Sequence, residues 1–343
     1  MLKKTMSLLL IVACLGCEST PEVSADDTSI NVLDNPARPA GTYADVSENP
    51  LIDRYPKVPG PPSDILSKGA IGAKVFDELK LKYTQHLVAL RDSVEKSGAH
   101  FVLLLLSPAV HTQTQGAESI GMNFIAATAQ QNNIDVIDAR VATKSHTPLE
   151  ITQYPKDGHW SKKGASLVAD YLVAPIQQLA QYKNPTTYKE RPSTFNDLEP
   201  NLDEVLDGNK NLPYHLVTNS KGMRMSSEPV FPKTKQRFVF IGDSNLYCPF
   251  LENNEMITSL LQTKLPQVDV YNCTQIGYTV NDYISLYTEK AKYLEPDVVV
   301  VSTSASSVAD FFFTHRNRFA RIHQQFAPSE NEKQLYKALF GNL

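Results

Sequence analysis

Little in this chain points to nucleic acid or to a metal. Its 33 Lys and Arg are outnumbered by 37 Asp and Glu, for a formal net charge of −4, whereas a nucleic-acid surface calls for a basic footprint. Outside the leader there is no Cys-x-x-Cys, and nowhere is there a His-Glu-x-x-His, the spacings that signal zinc most directly. No metal and no cofactor is therefore expected. No internal repeat is evident, which sets aside solenoid arrays. What the chain does have is 343 residues of which 42% are hydrophobic, enough for one large or two ordinary domains with a real core.

Residues 1–17 read as a secretory signal. Lys3 and Lys4 supply the positive start, and residues 7–15 form an apolar core too short to span a bilayer. The small and apolar residues before Cys17 fit a lipobox, with Cys14 as the alternative. The expected mature form is a lipid-anchored bacterial envelope protein, facing the periplasm or the outer surface. Residues 18–62 are polar and rich in proline without helical or strand period, the composition of an extended tether.

Strand and helix patterns then alternate in two halves. In residues 63–97, Phe76, Leu79, Tyr83, Leu87, Leu90 and Val94 recur at three- and four-residue steps, predicting a long amphipathic helix. Residues 101–106 are an unbroken apolar run, the mark of a parallel strand covered on both faces. A helix over 120–131 and a strand over 134–137 follow. Asp138 and Arg140 lie at that strand's end, as site lining or as a salt-bridged loop. The first half, 63–183, closes with another helix. Residues 184–235 shift to Pro, Asn, Asp and Lys and read as a connecting excursion over the site, with Tyr214 and His215 as sugar contacts or ordinary loop residues. The second half, 236–343, has strands at 238–241, 268–271 and 297–301, with helices between. This alternation predicts a three-layer α/β/α fold with a doubly wound, mainly parallel sheet.

Two stretches carry chemistry. In Phe238–Ser244 a buried strand runs into Gly242-Asp243-Ser244, placing a serine hydroxyl at the carboxyl edge of a sheet, where such folds bind ligands. Upstream stands Asp157-Gly-His159-Trp160-Ser161-Lys-Lys-Gly164. A serine needs a base to take its proton, and the base needs a third group to orient it. Asp157 and His159 are two apart and cannot share a helix face, but on a loop the Asp can fold back onto its own His. Ser161 is the expected N-cap of the next helix. Trp160 is a candidate sugar platform or a core residue.

Together these blocks resemble the SGNH (GDS-type) hydrolase superfamily, in the branch of the AlgJ/AlgX-type alginate O-acetylation domains. That branch has the Asp-x-His-Trp-[Ser/Thr]-x-x-Gly form and places it before the serine. The resemblance implies an SGNH/flavodoxin-like fold in circularly permuted order and a Ser244-His159-Asp157 triad. It implies an oxyanion hole from the amides of Ser244 and Gly277, the latter in Asn272-Cys-Thr-Gln-Ile-Gly277. The superfamily's Gly-x-Asn after the last strand is missing, leaving Ser304 or Ser306 as substitute donors and Asn281 as a weaker one. A disulfide between Cys248 and Cys273 is expected, because exported proteins meet an oxidising compartment. The implied function is polysaccharide O-acetylation through an acetyl-serine intermediate, with an acetylated donor, a polysaccharide acceptor and a membrane acyltransferase as partners. The same triad would serve a carbohydrate acetylesterase, and a decayed cleft would leave a polysaccharide-binding lipoprotein. His315, Arg316, Arg318 and Arg321 form a basic patch, read as a solvated face or as an attractor of an anionic polysaccharide.

Overall fold

The computed structural model describes residues 69–107, 117–206 and 211–304; Cys14, Cys17, the tether, Ser306 and the patch at 315–321 lie outside these. Helix α1 spans Gly69–Lys96, and all six residues of its predicted stripe are buried. Strand β1 (His100–Leu105) is buried from its second residue onward. Helix α2 (Ala117–Gln131) and strand β2 (Asp135–Asp138) follow. Asp138 pairs with Arg140 at 2.7 Å, so these two make a salt-bridged loop. The one-turn helix α3 (Pro148–Ile151) leads to α4 (Lys162–Gln178).

The second half contributes β5 (Gln236–Gly242), buried throughout, the one-turn helix α5 (Ser244–Tyr247) and α6 (Ile257–Lys264). Then come β6 (Val268–Thr274), α7 (Val280–Glu289) and β7 (Val298–Thr303), again fully buried. Between the halves, β3 (Asp203–Leu206) and β4 (Tyr214–Val217) pair antiparallel as a hairpin. Polar composition hid this hairpin from the sequence reading, because only alternate β4 residues are buried. The excursion is also packed: Phe195, Met223 and Met225 are buried in the main core.

The five long-range strands form one parallel sheet in the order β2-β1-β7-β5-β6. Counting these strands from β5 instead of β1 turns that order into 2-1-3-4-5, the flavodoxin-like order. The chain is therefore a doubly wound α/β fold, with its strand order circularly permuted. One face is covered by α1, α2 and α7, the other by α4 and α6. The ligand-binding switch point of such a sheet lies between the strands counted first and third, here the carboxyl ends of β5 and β7. Among the described residues no helix is long and apolar enough to cross a membrane.

At the opposite edge, Asp297 fixes the strand starts. Its carboxylate accepts the amides of Arg237 (2.8 Å) and Asn184 (2.7 Å) and the Lys233 ammonium (3.0 Å), while only 2% exposed. Removing one partner of a buried charged network strands the others without compensation. Asp297→Ala should accordingly lower unfolding free energy by about 3–5 kcal/mol, read from denaturant titration.

Candidate active site

The serine turn begins where β5 ends. A Cβ on Gly242 would overlap the Ser302 hydroxyl of β7, so the approach of the neighbouring strand requires glycine there. Asp243 is the N-cap of α5, its side chain accepting the Asn245 amide at 2.9 Å. Its other oxygen accepts the Ser304 hydroxyl at 2.5 Å. This contact ties the end of β5 to the end of β7 across the switch point. Next to it, Tyr83 of α1 and Thr303 share a hydrogen bond of 3.1 Å. Ser244 follows Asp243 as the first helical residue and remains partly exposed.

The histidine loop is closed by its own backbone. Thr152 and Trp160 bridge antiparallel, Gln153 donates to the His159 carbonyl at 2.8 Å, and Ser161 donates to Ile151 at 2.9 Å. Ser161 caps α4 through Gly164 N (3.2 Å). A Cβ on Gly164 would overlap the Ile151 carbonyl, which explains the Ser-x-x-Gly spacing: α4 starts flush against the end of α3. Inside this loop Asp157, 8% exposed, accepts the His159 amide at 2.7 Å and also contacts His159 Nδ1. With Nδ1 donating to the carboxylate, Nε2 is the nitrogen free to accept a proton.

The two blocks meet. Asp243 feels the His159 charge, and Phe250, just past α5, meets the His159 ring edge-on with centroids 6.1 Å apart. Burial pushes the Asp243 carboxyl up, while the bonds from Ser304 and Asn245 and the charge of His159 pull it part of the way down. Trp160 is wholly buried on the α4 and α6 face and so is a core residue, not a sugar platform. Gly277 lies in the turn between β6 and α7. The Ser304 hydroxyl is already committed to Asp243, which corrects its reading as an oxyanion donor. Asn281, at the start of α7, has a buried side-chain oxygen with no hydrogen-bond partner among the described residues.

The expected Cys248–Cys273 disulfide is also corrected, since both are free buried thiols. Cys273 sits in the core under α1 and α7, Cys248 in the core under α4 and α6. The sheet stands between them, so adjacency along the chain's strand ends does not become adjacency of sulfur atoms. Burial raises both thiols, Cys248 to about 11.

Two residues of the site, Arg224 and Phe250, escaped the sequence reading. Arg224, fully buried, reaches from the excursion into the loop after α5. Its guanidinium donates to the carbonyls of Tyr247 (2.7 Å), Cys248 (3.0 Å) and Leu251 (2.5 Å) and to the Asn253 side chain (3.2 Å). It lies over the rings of Tyr247 and Tyr214. Tyr214 in turn meets Phe250 edge-on at 5.9 Å. The only sequence signal for Arg224 is its position between Met223 and Met225, an arginine in apolar company. His215 turns outward, exposed and paired with Asp203.

Comparison with known proteins adds a family. The model of the SGNH hydrolase-like domain of acetyltransferase AlgX matches residues 109–301, more than half of the chain. No curated protein sequence matches. Among solved structures, the O-acetyltransferase domain of Pseudomonas putida AlgJ is similar, with 16% identity, a TM-score of 0.45, and coverage of 79% of this chain and 93% of that one. Bacillus cereus PatB1 with a sulfonyl adduct gives 13% identity, a TM-score of 0.36, and coverage of 68% and 90%.

Two outcomes test the site. Iodoacetamide should label Cys248 and Cys273 only after denaturation, as read by peptide mass mapping without reductant. Because the folded pKa of Asp243 is raised, its contribution to stability is complete below the unfolded value of about 3.9 and is lost as pH rises toward the folded one. Asp243→Asn should therefore unfold with a flatter dependence than wild type above that pH.

Proposed function

Because this chain belongs to the SGNH hydrolase-like family of acetyltransferase AlgX, we propose that it is a cell-envelope serine acyl-transfer enzyme that O-acetylates polysaccharide. The observation that carries the proposal is the Asp157–His159 pair, with Nε2 left free, next to the Asp243-Ser244 turn at the switch point of the sheet.

In this reading His159 Nε2 takes the Ser244 hydroxyl proton as the oxygen attacks the carbonyl carbon of an acetyl ester. Asp157 holds the ring and steadies the imidazolium. The amides of Ser244 and Gly277 stabilise the tetrahedral oxyanion, each such donor being worth about 3–4 kcal/mol of barrier. The imidazolium then protonates the departing alcohol, leaving acetyl-Ser244. A sugar hydroxyl gives its proton to His159 and attacks the acetyl carbon, so that the acetyl passes to the sugar and Ser244 regains its proton. With water as acceptor the same steps release acetate, the esterase reading, which the partial exposure of Ser244 and His159 favours when no glycan fills the cleft. The lipid anchor at Cys17 or Cys14, the envelope location and a membrane acyltransferase that delivers acetyl groups belong to the same proposal.

The test is nitrophenol release from p-nitrophenyl acetate, repeated with glycan oligomers. Ser244→Ala should abolish turnover and His159→Ala should cut it by at least about a hundredfold. Acetyl appearing on the glycan identifies a transferase, and free acetate alone an esterase. Equal rates in wild type and both variants would remove the triad.

A further inference from the structure

The loop that follows the serine turn carries an unusual backbone. Cys248 has φ 55° and Phe250 φ 66°, two left-handed residues that are not glycine within three positions. For a bulky side chain this conformation is a genuine outlier, and it persists only where its surroundings over-determine it. Here the surroundings are visible. Arg224 gathers the carbonyls of Tyr247, Cys248 and Leu251: the two peptides that flank Cys248, and the carbonyl of the residue after Phe250. Five fixed donors in a planar fork suit this task, and a lysine point charge does not.

The outcome of that constraint is the position of one ring. Phe250 is only partly buried, yet its ring meets both His159 and Tyr214 edge-on. Asp157 holds His159 at its backbone amide and at ring Nδ1; Phe250 supplies a further contact, to the ring itself. We infer that Phe250 is a positioning residue for His159, and that Arg224 holds it there by clamping the strained loop. The inference rests on His159 being the base of the reaction proposed above. The excursion thereby has a task beyond cover: through Arg224 and Tyr214 it sets the base that takes the serine proton.

The experiment compares wild type with Phe250→Gly, Phe250→Tyr, Arg224→Lys and Ser244→Ala, using the full chain. Two readouts are taken: p-nitrophenyl acetate kinetics and the His159 ring signals in a heteronuclear NMR spectrum, assigned by their absence in His159→Gln. Glycine relaxes the left-handed backbone, so Phe250→Gly should keep a melting temperature near wild type. Its His159 ring signals should move or broaden, and kcat should fall roughly tenfold to a hundredfold with KM within about threefold. Phe250→Tyr should restore both. Arg224→Lys should resemble Phe250→Gly, and if it does not fold, the glycine variant decides alone. Unmoved ring signals, or wild-type kcat, in Phe250→Gly would overturn the inference, as would a tyrosine variant as impaired as the glycine one. An inactive Ser244→Ala beside a fully active Phe250→Gly sinks the positioning role alone. An active Ser244→Ala sinks the nucleophile reading, and the positioning role with it.

Discussion

Everything in this molecule depends on where its last described strand goes. β7 inserts between β1 and β5 and hydrogen-bonds to both. A strand of Val298-Val-Val-Val-Ser-Thr303 is too apolar to sit at an edge, and every residue of it is buried. Placing it centrally covers both of its faces with helices and joins two half-sheets that the chain lays down separately. The same insertion creates the switch point, because chain direction across the sheet reverses on either side of it.

From that constraint the site follows with little further cost. Gly242 is needed because β7 runs so close to β5. Asp243 reaches Ser304 because the two strands end level with each other. One face of the sheet supplies Tyr83 to the end of β7, and the other supplies α4, whose start holds the histidine loop. Burying Asp243 disfavours its charge, and the bonds from Ser304 and Asn245 offset part of that penalty. At the opposite sheet edge Asp297 gathers strand and excursion into one charged cluster. The candidate site therefore stands at one end of the sheet and much of the polar anchoring at the other. The left-handed residues Cys248 and Phe250 lie at the site end, where such conformations concentrate.

Sequence alone determined the helices and strands of the main sheet and the Asp157–His159 pair. The stripe from Phe76 to Val94, the apolar runs of β1 and β7, and the N-cap at Ser161 are local properties, set by period and by capping chemistry. Asp157 and His159 are close in the chain, so their contact needed only a tight loop. The parallel sheet was legible because strand and helix alternate through both halves, and its permuted order was implied by the family resemblance, in which the histidine block stands before the serine block. Tertiary structure decided the rest. Whether two cysteines meet depends on which face of a sheet each points to, and a spacing of strands does not carry that information. Trp160 and Ser304 are likewise settled by what surrounds them, a core for one and a carboxylate for the other. Arg224 and Phe250 were invisible for the same reason: an arginine in a polar excursion and a phenylalanine in a loop acquire their roles only when folding brings three backbone carbonyls and an imidazole to them.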